Sequence, residues 1–391
     1  MAGPLDGVRV LDLTTIYSGP IAASILGDQG ADVIKVEAPD GDLMRSPMTF
    51  QRNGVSGAFA MMNRNKRSVV INLREDEGKA VLKRMVAEAD VLMENYRPGV
   101  MERLGLAYET LREVNPRLIF ASINGVGHEG PYVNRRVYDA VIQAISGIGS
   151  LQADPASEKP LLVNTLMCDK ITSMTAAQSI AAALYAREQT GLGQRVDVSM
   201  LDSALFFMWP DSMLGYTFPG EETTETPRRT HERMVRKTRD GYICTMPVKR
   251  AEWEGVFRAL KLPNLFEDER FQSQRALDAD LQTLLNEAYA HFDTVELGER
   301  LDAEQVPWAH INARGEVIHD AQVKAMGALL EFDHPIAGPM RQPRPPGRFH
   351  ATPADIFRCS PELGEQTREV LAEYGYSSEE ITQMRADGVV R

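Results

Sequence analysis

Apolar residues come in short, evenly spaced blocks over the first third of the chain. Segments 8–13 (VRVLDL), 31–37 (ADVIKVE), 68–73 (SVVINL), 90–96 (DVLMENY) and 118–123 (LIFASI) each have the length and texture of a strand. Helix-length stretches separate them. Gly19-Pro20 opens a small-residue helix that Gly30 stops, and a charged amphipathic helix covers 75–88. Strands alternating with such helices predict parallel βαβ crossovers in an α/β layer fold. Beyond them, 138–148 and 171–188 predict long helices. In the second, Ile171, Met174, Gln178, Ala181, Leu184 and Tyr185 recur at helical spacing. A short strand over 196–199 leads into a helix at Met200.

The texture then changes. Segment 218–229 (FPGEETTETPRR) is acidic and rich in Pro and Thr, with no periodicity, and reads as a linker or surface loop. A second unit starts near Arg239 with a turn and strand (DGYICTMPV) and continues through helices to about Ala303. Segment 334–353 holds six prolines, which predicts an extended path that joins neither a helix nor a central strand. Two helices, 364–374 and 377–387, close the chain. The expected layout is a large domain over 1–215, a linker over 216–235, a small domain over 236–330, and an extended return with C-terminal helices over 331–391.

Composition narrows the function. The 391 residues are 43% apolar and 25% charged, with a net charge of -12. That balance fits a soluble globular protein and argues against non-specific nucleic-acid binding, which needs clustered cations on phosphates. Cys168, Cys244 and Cys359 are few and far apart, so neither a disulfide framework nor a zinc site is expected, and a reducing compartment follows. The first residues have neither the basic start nor the apolar run of a leader, and no segment has the length of a membrane span. A cytoplasmic protein with no membrane partner is the expectation.

The first strand-to-helix turn, Thr14 to Pro20, carries one glycine where a dinucleotide fingerprint needs three. There is no GxxxxGK[ST] phosphate loop, no HExxH and no GxSxG elbow. Nicotinamide, ATP, metal and serine-hydrolase chemistry all lose ground. Asp169 stands just ahead of the helix predicted over 171–188. On its own it reads as a plain N-cap, a position asparagine, aspartate and serine favour.

Seven segments, in order along almost the whole chain, give more. PLDGVRVLDLT, GADVIKVEAPDGDLMR, NRNKRSVVINL, ADVLMENYRPGVMERLGL, NPRLIFASINGVG, TGLGQRVDVSMLDSAL and PELGEQTREVLAEYGYS together resemble the family III CoA-transferases, of which α-methylacyl-CoA racemase is a close relative. The resemblance implies a Rossmann-like CoA-binding large domain, a smaller α+β domain and a homodimer of interlocked rings. It implies that CoA moves from an acyl-CoA donor to a carboxylic-acid acceptor through an aspartyl mixed anhydride and an aspartyl-CoA thioester. Asp169 matches the attacking aspartate. Ile16, Tyr17 and Ser18 with neighbouring Thr15, then Arg74, Asn95, Tyr96, Arg97, Arg103, Arg136 and Met200, match CoA-contacting positions. The 3′-phosphate and diphosphate of CoA call for cations of this kind. Arg97 and Arg103 also fit a solvated helix face, and Ile16 and Met200 fit a core.

The chain departs from the family pattern in places. Ala38 replaces an arginine found near the adenine in formyl-CoA transferase, and the middle domain has no run of glycines. Residues 246–249 are then the candidate shield for the intermediate, and the oxalate–formate pair is disfavoured; small dicarboxylates such as succinate are what the resemblance implies. Tyr138, followed by Asp139, stands where the racemase needs a histidine. A phenol of pKa about 10 is a poor base for proton abstraction. His128 reads as a loop histidine, and Cys168 as a small buried residue rather than a thiol nucleophile. Arg135, Arg228, Arg229 and Arg233 are candidates for holding the acid. An epimerase of 2-methylacyl-CoA and a non-catalytic acyl-CoA binding protein remain the alternatives.

Overall fold

The computed structural model describes residues 3–46, 49–154, 157–220, 234–267 and 279–391. The strands are β1 (Arg9–Asp12), β2 (Asp32–Glu37), β3 (Gln51–Arg52), β4 (Val55–Ser56), β5 (Lys66–Val70), β6 (Val91–Glu94), β7 (Ile119–Asn124), β8 (Arg195–Ser199), β9 (Val235–Lys237), β10 (Tyr242–Thr245), β11 (Trp308–His310), β12 (Leu329–His334) and β13 (Gly338–Pro343). The helices that build the larger unit's frame are α1 (Ser18–Asp28), α2 (Gly57–Met62), α3 (Asp76–Val86), α4 (Val100–Arg103), α5 (Tyr108–Val114), α6 (Asp139–Ser146), α7 (Ile148–Leu151), α8 (Met167–Thr190) and α9 (Met200–Ser212).

Six strands form one sheet in the order β5–β2–β1–β6–β7–β8, and every neighbouring pair is parallel. This is a Rossmann-like order. The chain winds outward from β1 in one direction and then returns to β6 on its other side, so the crevice between β1 and β6 is the topological switch point. The strand alternation sets the two faces. Val10, Val33 and Val91 meet Ala22, Ala23 and Leu26 of α1 and Ala176, Ala177 and Ile180 of α8. Leu11, Ile34 and Leu92, one residue on, meet Val81, Leu82 and Met85 of α3 and the C-terminal Val370, Leu371 and Ile381. Both faces are covered, as a parallel sheet requires.

Two compact units result, one of Met1–Thr217 with Gly327–Arg391 and the other of Phe218–Met326. In the second, β11–β10–β9 form an antiparallel sheet, with Ile243, Val256, Phe257, Leu297 and Leu301 in a core shared with its helices. The returning C-terminal segment is stitched to the β5 edge of the large sheet. Asn65 Oδ1 accepts the N–H groups of Phe357 and Arg358 at 2.9 and 3.0 Å. Gln366 Oε1 accepts Ser68 N–H at 2.8 Å, and Arg67 pairs with Asp32, Glu369 and Glu373.

Two of the predicted helices are corrected. The helix predicted over 138–148 is broken at Gly147, whose φ of 91° only glycine adopts readily; α6 ends there and α7 begins. The proline-rich return pairs with the preceding segment as the ribbon β12–β13. Pro339 and Pro343 are tolerated because a two-stranded ribbon is all edge. The helix predicted over 171–188 starts four residues earlier and buries a different face. Cys168, Thr172, Ser173, Ala176, Ala177 and Ile180 turn inward, while Met174 and Tyr185 are exposed. Small side chains let α8 approach α1 closely, so the large apolar residues were poor guides to its buried side.

Candidate active site

A cavity of about 220 Å³ opens at the carboxyl ends of β1, β6 and β7. It is lined by the β1–α1 turn (15–18), the loop after β6 (95–98), the end of β7 and its loop (123–127), the segment 133–138, Asp169 from α8 and Met200 from α9. The switch point therefore supplies two of its walls. Of the residues singled out from sequence, Ile16, Tyr17, Ser18, Asn95, Tyr96, Arg97, Arg136, Met200 and Asp169 come together here, with Arg135 and Tyr138 beside them. Arg74 and Arg103 are exposed and lie outside the lining. Arg228, Arg229 and Arg233 fall outside the described residues. Residues 246–249 belong to the second unit.

Asp169 is not the cap of α8. Leu166 occupies that position, and Asp169 sits in the first turn with its own N–H donated to Asp139 Oδ2 at 3.1 Å. Asp139 opens α6 and is buried; its other oxygen accepts from Gln143 Nε2 at 2.5 Å. Two carboxylates thus share one corner. Burial, and after it the Asp139 charge, push the Asp169 carboxyl up to about 6, against hydrogen bonds from the Ser18 hydroxyl and N–H and the charge of Lys170. Ser173 donates its hydroxyl to the carbonyls of both Ser18 and Asp169 at 2.7 Å, locking α8 to the start of α1. Asp169 is ionised at neutral pH yet poorly solvated, the state a carboxylate nucleophile needs.

The neighbours have distinct environments. Burial, then the Asp139 and Asp169 charges, push the Cys168 thiol up to about 12, and its side chain packs with Ile142, Met200 and Ala204. It has none of the electropositive surroundings of a reactive cysteine. Burial and Asp169 also raise the Tyr17 phenol. Tyr138 is 65% exposed at the start of α6. His128 stands off the cavity with Asn124, Arg195 and Asp197 around its Nε2 at 3.0–3.1 Å.

Beneath the β1–α1 turn lies a group of charges that sequence reading did not single out. Asp12 Oδ2 pairs with Lys66 at 2.8 Å and Asp42 Oδ2 with Lys35 at 2.9 Å, all four side chains at 0% exposure. Burial would raise the Asp12 carboxyl, but Lys66 and Lys35 outweigh it and hold it low; burial brings Lys66 down to about 8. The available signal was Lys35 inside ADVIKVE, a charge in a strand that a parallel sheet buries on both faces.

The family model described as CoA-transferase family III matches residues 5–367. The chain belongs to CoA-transferase family III. Similar family members include mouse succinyl-CoA:glutarate CoA-transferase, 32% identical over 396 residues, spanning 99% of this chain and 90% of that one. The formyl-CoA:oxalate CoA-transferase of Streptomyces avermitilis is 32% identical over 415 residues and spans all of both chains. Among solved structures, a CAIB/BAIF family protein from Brucella suis superposes with a TM-score of 0.82 at 32% identity, over 96% of this chain and all of the other. A hypothetical protein from Mycobacterium tuberculosis gives 0.82 at 30% identity, over 94% and 99%. As a family III CoA-transferase the protein is an enzyme acting on acyl-CoA. Among the described residues no helix is long and apolar enough to cross a membrane.

Proposed function

We propose that this enzyme carries CoA between two small dicarboxylic acids with Asp169 as the covalent carrier. The observation that supports it is the half-buried Asp169 carboxylate beside the buried Asp139 in the switch-point cavity. An Asp169 oxygen attacks the donor thioester carbonyl. The C–S bond breaks, leaving a mixed anhydride and CoA thiolate. The thiolate attacks the Asp169 carboxyl carbon, the donor acid leaves as its carboxylate, and an aspartyl-CoA thioester remains. The acceptor carboxylate attacks that thioester and expels the thiolate again. The thiolate then takes the acceptor acyl group and Asp169 returns to a carboxylate. One thioester and one carboxylate enter and one of each leaves, so the net exchange lies near energetic balance.

Arg97 and Arg136 on the cavity wall are the cations for the CoA phosphates, and Tyr17, Tyr96 and Met200 the apolar walls for its pantetheine arm. Asn95 serves mainly by bracing the turn at Thr15. Arg135, stacked at 3.7 Å over Tyr132, is the candidate for the acceptor carboxylate. Dicarboxylates are favoured because the name of the mouse family member pairs a succinyl donor with glutarate. A homodimer is part of this reading. Phe206, Phe207 and Trp209 on α9 are 83, 53 and 41% exposed, an apolar surface that a partner chain would cover.

The test is exchange in heavy water. Protein, a set of acyl-CoAs and a set of free dicarboxylates are incubated, and every CoA ester is weighed. New CoA esters without α-deuterium, absent in Asp169→Ala, are expected. Deuterium entering an otherwise unchanged 2-methylacyl-CoA would replace this reading with the epimerase.

A further inference from the structure

Ile16 has a φ of 73°, in the left-handed region that a β-branched side chain resists. It is the turn residue between β1 and α1, and two residues later Ser18 shares the cavity wall with Asp169, the two carbonyls bridged by the Ser173 hydroxyl at 2.7 Å. An unfavourable conformation at a site persists only where its surroundings over-determine it. Here they do. The three successive N–H groups of the turn all end on side chains: Thr14 on Asp12 Oδ1 at 3.0 Å, Thr15 on Asn95 Oδ1 at 2.9 Å and Ile16 on Asp42 Oδ1 at 3.3 Å. Two of the carbonyls are taken as well, Thr14 by Lys35 Nζ at 2.9 Å and Thr15 by Asn95 Nδ2 at 2.8 Å. Asp42 is anchored in turn. Its Oδ1 also accepts Met44 N–H and its Oδ2 holds Lys35.

A turn needs no ion pair to close. An aliphatic pair of similar volume at two fully buried positions is often at least as stable. What the pair adds is direction: Lys35 and Asp42 grip the peptide groups on either side of Thr15.

We infer that Asp42, held by Lys35, is a positioning residue for the transfer, fixing Ile16 in its left-handed conformation and so aiming Ser18 at Asp169. The inference deepens the proposed function and rests on it for the effect on turnover. Its geometric part, that Asp42 aims Ser18, stands apart from it.

The experiment uses the full chain with Asp42→Ala, Lys35→Met/Asp42→Leu and Asp42→Ala/Ile16→Gly, each checked for native circular dichroism. The Lys35→Met/Asp42→Leu pair leaves no buried charge stranded and keeps a folded protein in hand. Two readouts are taken: steady-state kinetics of the proposed exchange, and titration of the Asp169 carboxyl by carbon-13 NMR. Loss of aim lowers kcat about 100-fold, the scale of a 1 Å misplacement, with the acyl-CoA KM within about threefold. It also moves the Asp169 titration to higher pH, because the Ser18 donors that hold it down drift away. Ile16→Gly, free to adopt the left-handed turn, restores about tenfold of the kcat lost in Asp42→Ala. A folded Asp42→Ala with unchanged kcat and unchanged Asp169 titration overturns the inference, as does a glycine variant with no recovery. If Asp169→Ala keeps its turnover, the transfer reading falls instead, and the Asp169 titration in the clamp variants still decides whether Asp42 aims Ser18.

Discussion

At pH 8 an Asp169→Asn variant should melt above the wild-type protein while losing its transfer activity. The carboxyl titrates at about 6 in the folded chain against 3.8 for an ordinary aspartate, with burial and then Asp139 as the causes. A difference of about 2 units corresponds to roughly 3 kcal/mol between the two protonation states. Because Asp169 reaches an open cavity, solvent screening lowers this to about 1–3 kcal/mol. The folded-state pKa lies above the unfolded one. The group therefore favours folding most below about pH 4, and that contribution is lost as pH rises through about 6. Asparagine has the same shape, carries no charge and suffers no such loss. The gap between variant and wild type should thus be near zero at pH 4 and full above pH 7.

The melting shift follows from the size of the chain. At about 2.1 cal/mol/K per residue, 391 residues give an unfolding entropy near 0.8 kcal/mol/K, so 1–3 kcal/mol becomes about 1–4 °C. Calorimetry of both proteins in matched buffers at pH 4, 6 and 8 measures it. An asparagine variant that melts lower at pH 8, or a gap of equal size at all three pH values, would refute the claim that Asp169 is held in an unfavourable charged state.

Further outcomes follow from the same site. The kcat/KM of wild-type exchange should rise along an acid limb near pH 6 as Asp169 ionises, and Asp139→Asn should move that limb to lower pH by removing the adjacent charge; a profile of kcat/KM over pH 4–8 checks both. Arg97→Ala should raise the acyl-CoA KM about tenfold with little change in kcat, the signature of lost uniform binding, read from initial rates with CoA esters of one acid. Arg67→Met should destabilise the larger unit by about 2–3 kcal/mol, measured by denaturant unfolding, because it takes the shared cation from Glu369 and Glu373 and leaves Asp32 only the more distant Arg9; their partial exposure keeps the loss below that of a fully buried pair.

The parallel sheet was legible because its strands are short apolar blocks with helices between, and period-2 alternation at Val10–Leu11 and Val33–Ile34 distributes each strand over two cores. Asp169 was legible through family resemblance and not through its local pattern. As a lone Asp before a helix it looked like a cap, whereas the helix begins at Met167 and puts it inside the first turn. The buried face of α8 was not legible, because many of the residues that it buries are alanines, serines and threonines, which carry little hydrophobic signal. The Lys35–Asp42 pair was invisible for a related reason. In ADVIKVE Lys35 and Glu37 occupy alternate positions, the pattern of a strand with one wet face, and only the coverage of both sheet faces makes them interior.

The environment of Asp169 is a balance of opposed effects, and the direction of each makes chemical sense. Burial and Asp139 act against the charge; Ser18 and Lys170 act for it. Were the donors alone present, the carboxylate would be so well stabilised that its attack on a thioester would lose their hydrogen bonds just as its negative charge passes to the substrate oxygen. Were burial alone present, the group would be protonated at neutral pH and unable to attack. With both, the carboxylate exists at pH 7 but is held weakly, and the donors remain beside it as charge leaves it and later returns. This requires Ser18 to stay fixed while the substrate carbonyl enters and leaves. A loop free to relax would follow the charge and weaken the arrangement. The strained Ile16 turn, with each of its N–H groups from Thr14 to Ile16 held by a side chain, is a means of preventing that relaxation.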